Sequence, residues 1–250
     1  MKVLRHGGVC LVILAAATSA VWAQADQRAA AASFAAGVKA YHEAHYDAAV
    51  TFNEDVLAKG FVSPAVYYNL GNAWFKTGRT GKSVLNYLRA RQLAPRDSDL
   101  RANLSYARSM VENYVPRKSA SIAAPAESYF TDIELQWLAL AALGLTGLFV
   151  LSGLYAGMPR KRIVLGTVLL ALVTGYFSAA AFGQAIGRLG AAVCVGKSDA
   201  RFEPNTQGTV YFRVPEGTEL KILREKDGWV KIERPDGKSG WVPGVSVEKI

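Results

Sequence analysis

The sequence predicts a multidomain membrane protein with three parts: an all-α helical repeat domain, a hairpin of two transmembrane helices, and a small all-β barrel. Three observations predict this architecture. Charged residues are absent from Trp137 to Met158 and again from Ile163 to Gly187. Before these runs, similar residues recur at one fixed interval along a segment with helical periodicity. After them, short segments of alternating apolar and polar residues are separated by turn-forming residues.

The two uncharged runs predict membrane-spanning helices at 133–158 and 163–187. Each run exceeds the roughly 20 residues that an α-helix needs to cross about 30 Å of hydrocarbon. In lipid, backbone amides must be satisfied within their own segment, which favours a helix. The connecting loop, 159–162, reads Pro-Arg-Lys-Arg, so the positive-inside rule predicts that it is cytoplasmic. The alternative, two buried helices of a soluble core, is disfavoured by the length of the runs.

The amino-terminal residues, 1–23, resemble a cleavable signal peptide in composition. Lys2 and Arg5 precede an apolar stretch that ends in Val-Trp-Ala. An uncleaved anchor is the alternative. Together with a cytoplasmic loop, this segment predicts a multi-pass protein of the bacterial inner (cell) membrane, with both soluble domains in the periplasm or extracytoplasmic space. The net charge of +9 forms no basic stripe with interleaved aromatics, so no nucleic-acid partner is expected.

No catalytic or metal-binding motif is recognisable in the sequence. The nucleophile elbow, the phosphate-binding loop and the HExxH zinc motif are all missing. His42 and His45 are close in the sequence, but they have no recognised acidic or thiol partner and are expected on a solvated helix surface. Cys194 remains alone once the signal segment is removed, and we expect it to be buried among apolar neighbours, with a reactive thiol as the alternative. We therefore expect no enzyme, no cofactor and no metal.

Residues 24–114 contain an internal repeat. The interval between Gly37 and Gly71 recurs between two further pairs of similar residues, Ala49 with Ser83 and Val56 with Ala90. The segment around Leu70, Gly71 and Trp74, with Pro95 as a closing proline, resembles the tetratricopeptide repeat. The resemblance implies a solenoid of about two and a half repeats, in which Leu70 and Trp74 are buried between helices and Ser98 to Tyr114 forms a capping helix.

Tetratricopeptide arrays usually bind peptides in a concave groove, and the resemblance implies such a groove here. Its candidate residues are Tyr68, Asn69, Asn72, Phe75, Asn103 and Tyr106. Aromatic side chains with amides between them suit a helix or an extended peptide. The positively charged clamp that some family members use for a peptide carboxylate is missing. The alternative is that these aromatics pack only on helices of their own domain.

A linker is predicted at 115–132, where prolines and serines are interspersed with alanines. The last part of the chain, 191–250, has alternating segments and turn signals typical of a small antiparallel barrel. The segments Gly228-Trp229-Val230 and Gly240-Trp241-Val242-Pro243 resemble the bacterial SH3 domain. The segment that begins at Arg201-Phe202 departs from the usual family pattern.

Bacterial SH3 domains often bind cell-wall peptides or partner proteins, so the resemblance implies a ligand face. Its candidate aromatic residues are Tyr211, Trp229 and Trp241. Burial of either tryptophan in the barrel core is the alternative.

The order of the parts resembles the BatE-type proteins of the Bat aerotolerance operons. That resemblance implies a non-catalytic scaffold or adaptor in a Bat/MoxR-type envelope complex. Its expected partners are proteins, among them von Willebrand A-domain membrane proteins, and the lipid bilayer. The alternative is a module that binds peptidoglycan and recruits or regulates a wall enzyme.

Overall fold

The computed structural model describes residues 24, 26–116 and 123–250. Within these residues the chain forms eight α-helices followed by seven β-strands and one 3₁₀ turn. It divides into two compact units, Met1–Arg79 and Thr80–Ile250. The predicted signal peptide, 1–23, and part of the predicted linker, 117–122, lie outside the described residues.

The first unit contains three helices: α1 at 26–42, α2 at Tyr46–Ala58 and α3 at Pro64–Lys76. Helix α3 begins where the Ser63 side chain accepts a hydrogen bond from the Val66 amide at 3.3 Å, with a proline in its first turn. A shared apolar core joins the three helices, with Leu70 only 1% exposed. Its other buried members are Ala30, Ala40, Ala49, Val50, Val56, Val66 and Ala73.

Trp74 is less buried than the sequence led us to expect. Its ring packs against the core of the first unit but stays partly exposed. The reason is its position near the end of α3, where it borders an open cavity that Tyr46 and Thr77 also line. Leu70, one turn earlier, lies against the core as expected.

The second unit begins with α4 at Thr80–Leu93 and α5 at Ser98–Ser109. The Asp97 side chain caps α5 by accepting a hydrogen bond from the Leu100 amide at 2.9 Å. The helix boundaries repeat at the spacing seen in the sequence, because the interval from Gly37 to Gly71 also separates the start of α2 from that of α4 and the start of α3 from that of α5. Two turns with positive φ, at Ala44 and Gly78, are separated by the same interval.

A short helix, α6 at Ala124–Tyr129, lies inside the segment predicted as a linker. Pro125 is in its first turn, where a proline favours the start of a helix. The side chain of Gln184 donates a 2.8 Å hydrogen bond to the Phe130 carbonyl and another hydrogen bond to the Glu127 carbonyl. These contacts and a small apolar cluster order the segment, which composition alone did not reveal.

The two uncharged runs form α7 at Asp132–Tyr155 and α8 at Arg160–Arg188. Both helices are long and apolar enough to cross a membrane, and only 11% and 6% of their most apolar windows are buried. The two helices pack against each other, with the Phe149 ring lying directly over Gly166. The basic residues predicted as a loop form the first turn of α8, because the helix starts immediately after Pro159.

The rest of the chain forms seven strands in one antiparallel sheet, in the order β3-β2-β6-β5-β4-β1-β7. The strands are β1 Ala191–Cys194, β2 Ser198–Arg201, β3 Val210–Val214, β4 Glu219–Lys226, β5 Trp229–Glu233, β6 Ser239–Pro243 and β7 Val247–Lys249. Its core contains Cys194, Leu220, Ile232 and Val242. Alternate residues of β5 and β6 are buried, so the others lie on the outer face of the sheet.

Candidate functional site

Three charged or aromatic residues lie side by side on the outer face of the sheet. Trp241 on β6 is the register partner of Arg201 on β2 and of Lys231 on β5. Directly opposed residues of antiparallel strands lie on the same face, so the indole is flanked by two cations. Burial alternates along β5 and β6, and both Trp241 and Lys231 are half-buried on the outer side.

Two further aromatic rings extend this row. Phe202 follows β2, and Tyr211 lies on β3; their ring centroids are 4.6 Å apart with an interplanar angle of 31°. They remain 60% and 47% exposed. Tyr211 also contacts the edge of Phe212, whose ring lies 5.5 Å below the guanidinium of Arg234. The packing of these neighbours holds the exposed aromatic pair in place.

These residues line a shallow cavity of about 480 Å³, which we call the barrel groove. Its main lining residues are Arg201, Phe202, Tyr211, Lys231, Lys238 and Trp241. Asp236, at the rim, is paired with Arg234 at 3.2 Å. The guanidinium of Arg201 donates a hydrogen bond to the Gly208 carbonyl, which fixes its position. The groove is therefore aromatic at one end and carries a net positive charge.

The structure brings two of the three predicted barrel residues into one cavity. Tyr211 and Trp241 share the barrel groove, whereas Trp229 lines a separate cavity of about 650 Å³ beside Arg89 of α4. Sequence reasoning missed Phe202 as a groove residue. The departure of Arg201-Phe202 from the usual SH3 pattern could have indicated that Phe202 belongs to the groove.

The six predicted repeat-groove residues divide between the two units. Tyr68, Asn69, Asn72 and Phe75 lie on α3 of the first unit, where all four are half-buried. Burial, followed by electrostatic repulsion from Tyr46 and Tyr68, raises the pKa of Tyr41.

Asn103 and Tyr106, the other two predicted residues, lie on α5 of the second unit. Asn103 is half-buried and Tyr106 is 58% exposed. Tyr106 does not share the buried face of α5, which is formed by Leu100, Leu104 and Ala107.

A buried ionic cluster joins α5 to the barrel. Nε and Nη2 of Arg108 lie 2.7 and 2.6 Å from Oε1 of Glu219, a side chain that is only 9% exposed. The Tyr114 hydroxyl donates to the same oxygen at 3.2 Å. Burial, with repulsion from Arg108 second, lowers the pKa of the neighbouring Arg91. The carboxylate thus compensates positive charge from two guanidinium groups in an enclosed region.

Helix α4 lies against β1 at Gly81. A Cβ atom there would be 2.5 Å from the Cys194 carbonyl oxygen and 2.8 Å from Cα of Val195, so only glycine fits. The Gly81 amide also donates a 2.9 Å hydrogen bond to the Glu216 carboxylate. The sheet is therefore packed on α4 through backbone contact at Gly81, and it is joined to α5 through the Arg108–Glu219 ion pair.

The Cys194 thiol is completely buried in the barrel core, which confirms the sequence prediction. Burial raises the pKa of this thiol to about 12, although the nearby Gly196 carbonyl lies 3.0 Å from the sulfur. A neutral, enclosed thiol is unreactive, so Cys194 has a packing role.

Comparison with known proteins identifies one part of the chain. Residues 199–248 match the bacterial SH3 domain family. No curated protein matches the chain. The match covers most of β2 through most of β7 and includes the strands that line the barrel groove, whereas β1 precedes it. Residues 199–248 of this chain therefore form a bacterial SH3 domain.

Proposed function

We propose that this chain is a non-catalytic, membrane-anchored scaffold that binds protein partners on the extracytoplasmic side. The observation that carries the proposal is the Arg108–Glu219 ion pair. Arg108 precedes the α7–α8 hairpin, and Glu219 follows it. Two residues in direct contact lie on the same side of a membrane, and a hairpin that crosses twice returns the chain to that side.

The orientation of the hairpin is supported by its charges. Arg160, Lys161 and Arg162 form the first turn of α8, at the end of the hairpin where α7 and α8 are connected. The positive-inside rule places this turn in the cytoplasm and the two soluble parts outside it. The amino-terminal signal segment proposed from the sequence gives the same orientation.

The helical parts are proposed to be tetratricopeptide repeats. The interval at which helix starts recur supports this assignment, because it matches the repeat length of about 34 residues that is characteristic of the family. The α3 residues Tyr68, Asn69, Asn72 and Phe75 are retained as a proposed peptide-contact surface. Together with the SH3 domain, they would give the scaffold two places to hold partners.

The proposed setting is an envelope complex of the Bat/MoxR type, linked to aerotolerance. The order of repeat domain, membrane hairpin and SH3 domain supports it. The proposed partners are membrane proteins with von Willebrand A domains, which would meet the scaffold at the membrane surface.

Peptidoglycan binding is the second candidate function, and the SH3 domain favours it. The aromatic rings and cations of the barrel groove could also contact the sugars and carboxylates of a cell-wall fragment. In that case the chain would recruit or regulate a wall enzyme.

Affinity purification from membranes tests the proposed function. The full-length tagged chain is solubilised in mild detergent, and the recovered proteins are identified by mass spectrometry. We expect membrane proteins to co-purify in fixed ratio to the scaffold. Recovery of peptidoglycan fragments and wall hydrolases without such proteins would favour the second candidate, and recovery of neither would overturn the scaffold.

A further inference from the structure

The dimensions of the barrel groove fit an extended peptide. Its residues span four adjacent strands, from Tyr211 on β3 through Arg201 on β2 and Trp241 on β6 to Lys231 on β5. Neighbouring strands are about 4.8 Å apart, so the distance across the groove from β3 to β5 is about 14 Å. An extended chain rises about 3.3 Å per residue, and about four residues would therefore cross the groove.

The charges of the groove select an anionic ligand. Arg201, Lys231 and Lys238 contribute positive charge, and the carboxylate at the rim, Asp236, is paired with Arg234. Lys231 is the register partner of Trp241, and both residues are half-buried on the outer face of the sheet. Carboxylates placed along a peptide would complement these cations, whereas a basic ligand would be repelled.

The aromatic end of the groove favours a protein segment over a cell-wall peptide. Phe202 and Tyr211 present two exposed rings in contact, tilted by 31° to each other. Such a surface contributes most to binding when it covers a bulky apolar side chain. Protein segments carry leucine, proline or aromatic residues beside their carboxylates, whereas the stem peptides of peptidoglycan offer mainly alanine methyl groups.

We propose that the barrel groove binds an extended acidic segment of a partner protein, with carboxylates contacting Lys231, Lys238 and Arg201 and an apolar side chain covering Phe202 and Tyr211. This proposal rests on the scaffold function above and names the chemistry of the partner. It also assigns Phe202 and Lys231 to ligand binding, which the SH3 family match does not do.

The test is peptide binding to the full-length protein in detergent. The probe is a fluorescent peptide in which Glu alternates with Leu, and the matched probe carries Gln in place of Glu. Lys231→Glu reverses a groove charge. Lys197→Glu makes the same change in the exposed turn between β1 and β2, outside the groove. Phe202→Ala removes one ring of the exposed pair.

We expect the Glu peptide to bind and the Gln peptide to bind at least about tenfold more weakly, because charge-assisted hydrogen bonds are lost. Lys231→Glu should weaken binding of the Glu peptide by about tenfold or more, with an unchanged melting temperature, and Lys197→Glu by less than about twofold. Phe202→Ala should also weaken it by about tenfold, because the apolar side chain loses its cover. Equal binding of the two peptides, or equal effects of the two Lys→Glu variants, would overturn the proposal.

Solubilised peptidoglycan fragments provide a competing ligand. Displacement of the Glu peptide by these fragments at lower concentrations than by unlabelled Glu peptide would overturn the choice of a protein segment. Co-purification distinguishes failure of the groove assignment from failure of the proposed scaffold function. A membrane partner that is recovered equally well with Lys231→Glu overturns the groove assignment but leaves the scaffold, whereas the absence of any partner overturns the scaffold itself.

Discussion

Arg108 on α5 and Glu219 on β4 form a buried ion pair in which two guanidinium nitrogens contact one carboxylate oxygen. The residues are 111 positions apart, and the whole α7–α8 hairpin lies between them in the chain. Their contact makes the SH3 barrel part of the same compact unit as α4 and α5. In the proposed scaffold, a domain fixed in this way would hold its ligand at a defined distance from the α7–α8 hairpin.

Glu219→Ala should destabilise the second unit strongly. The substitution leaves Arg108 and the half-buried Arg91 without the carboxylate that compensates them, at a cost of about 3–5 kcal/mol. Urea unfolding of the detergent-solubilised protein measures this change. Glu225→Ala is the matched control, because its 2.8 Å pair with Lys249 is exposed and should contribute less than about 1 kcal/mol. Equal effects of the two variants would show that the cluster is not buried in solution.

Gly81→Ala should separate α4 from β1. The added methyl group would meet backbone atoms that cannot move independently, and overpacking of this kind costs about 1–3 kcal/mol. Gly144→Ala is the control, since a Cβ atom there meets nothing within 4 Å. Alanine is favoured over glycine in helices by up to about 1 kcal/mol, so the control should be neutral or stabilising. Thermal unfolding compares the two variants, and equal melting temperatures would contradict the packing.

The buried Cys194 thiol should make the protein sensitive to alkali. Its folded pKa of about 12 lies above the ordinary value of 9.0, so the unfolded thiol ionises first as the pH rises. The stabilisation is complete below pH 9 and is lost between pH 9 and about 12, to a total of about 4 kcal/mol. Cys194→Ala should remove this part of the pH dependence. If both proteins lose stability in parallel over this range, the thiol is not enclosed.

A second, smaller alkaline effect is expected from Tyr114. Burial, followed by the charge of Glu219, raises the pKa of its phenol. The unfolded phenol therefore ionises first, and the free energy of unfolding decreases as the pH rises above the ordinary value of 10.0. The slope that remains in Cys194→Ala should decrease further in a double variant with Tyr114→Phe.

Leu70→Ala should cost about 2–5 kcal/mol, because Leu70 is 1% exposed in the core of the first unit. Removal of a fully buried tryptophan side chain costs about 3–5 kcal/mol. Trp74→Ala should cost less, since the Trp74 ring is partly exposed. Val62→Ala, at a residue 57% exposed, should change stability by less than about 0.5 kcal/mol. Urea titrations of the three variants give the order, and a cost at Val62 equal to that at Leu70 would contradict the assignment of the core.

Much of the local structure was predictable because its signals are local. The spacing between Gly37 and Gly71 anticipated the spacing between the starts of α2 and α4. Two uncharged runs gave two long apolar helices, and the Gly-Trp-Val segments indicated the SH3 barrel. In each case the signal lies in consecutive residues or at one fixed interval along the chain, where composition or periodicity detects it.

The packing of the barrel on α4 and α5 was not predictable in this way. The Gly81–Glu216 hydrogen bond joins residues 135 positions apart, and neither residue carries a local signal of that contact. The composition of the barrel groove was also missed in part. Strand register decides that Trp241 meets Arg201 and Lys231, and that Trp229 lines another cavity. Alternation along one strand gives its faces but not its partners.

Topology mapping tests whether the soluble parts on both sides of the hairpin share the extracytoplasmic side. Alkaline phosphatase requires disulfides and is active only outside the cytoplasm. Fused after Pro116 or after Ile250, it should be active; fused after Lys161, in the first turn of α8, it should be inactive. Activity at Lys161 combined with inactivity at the other two positions would show that the hairpin has the opposite orientation.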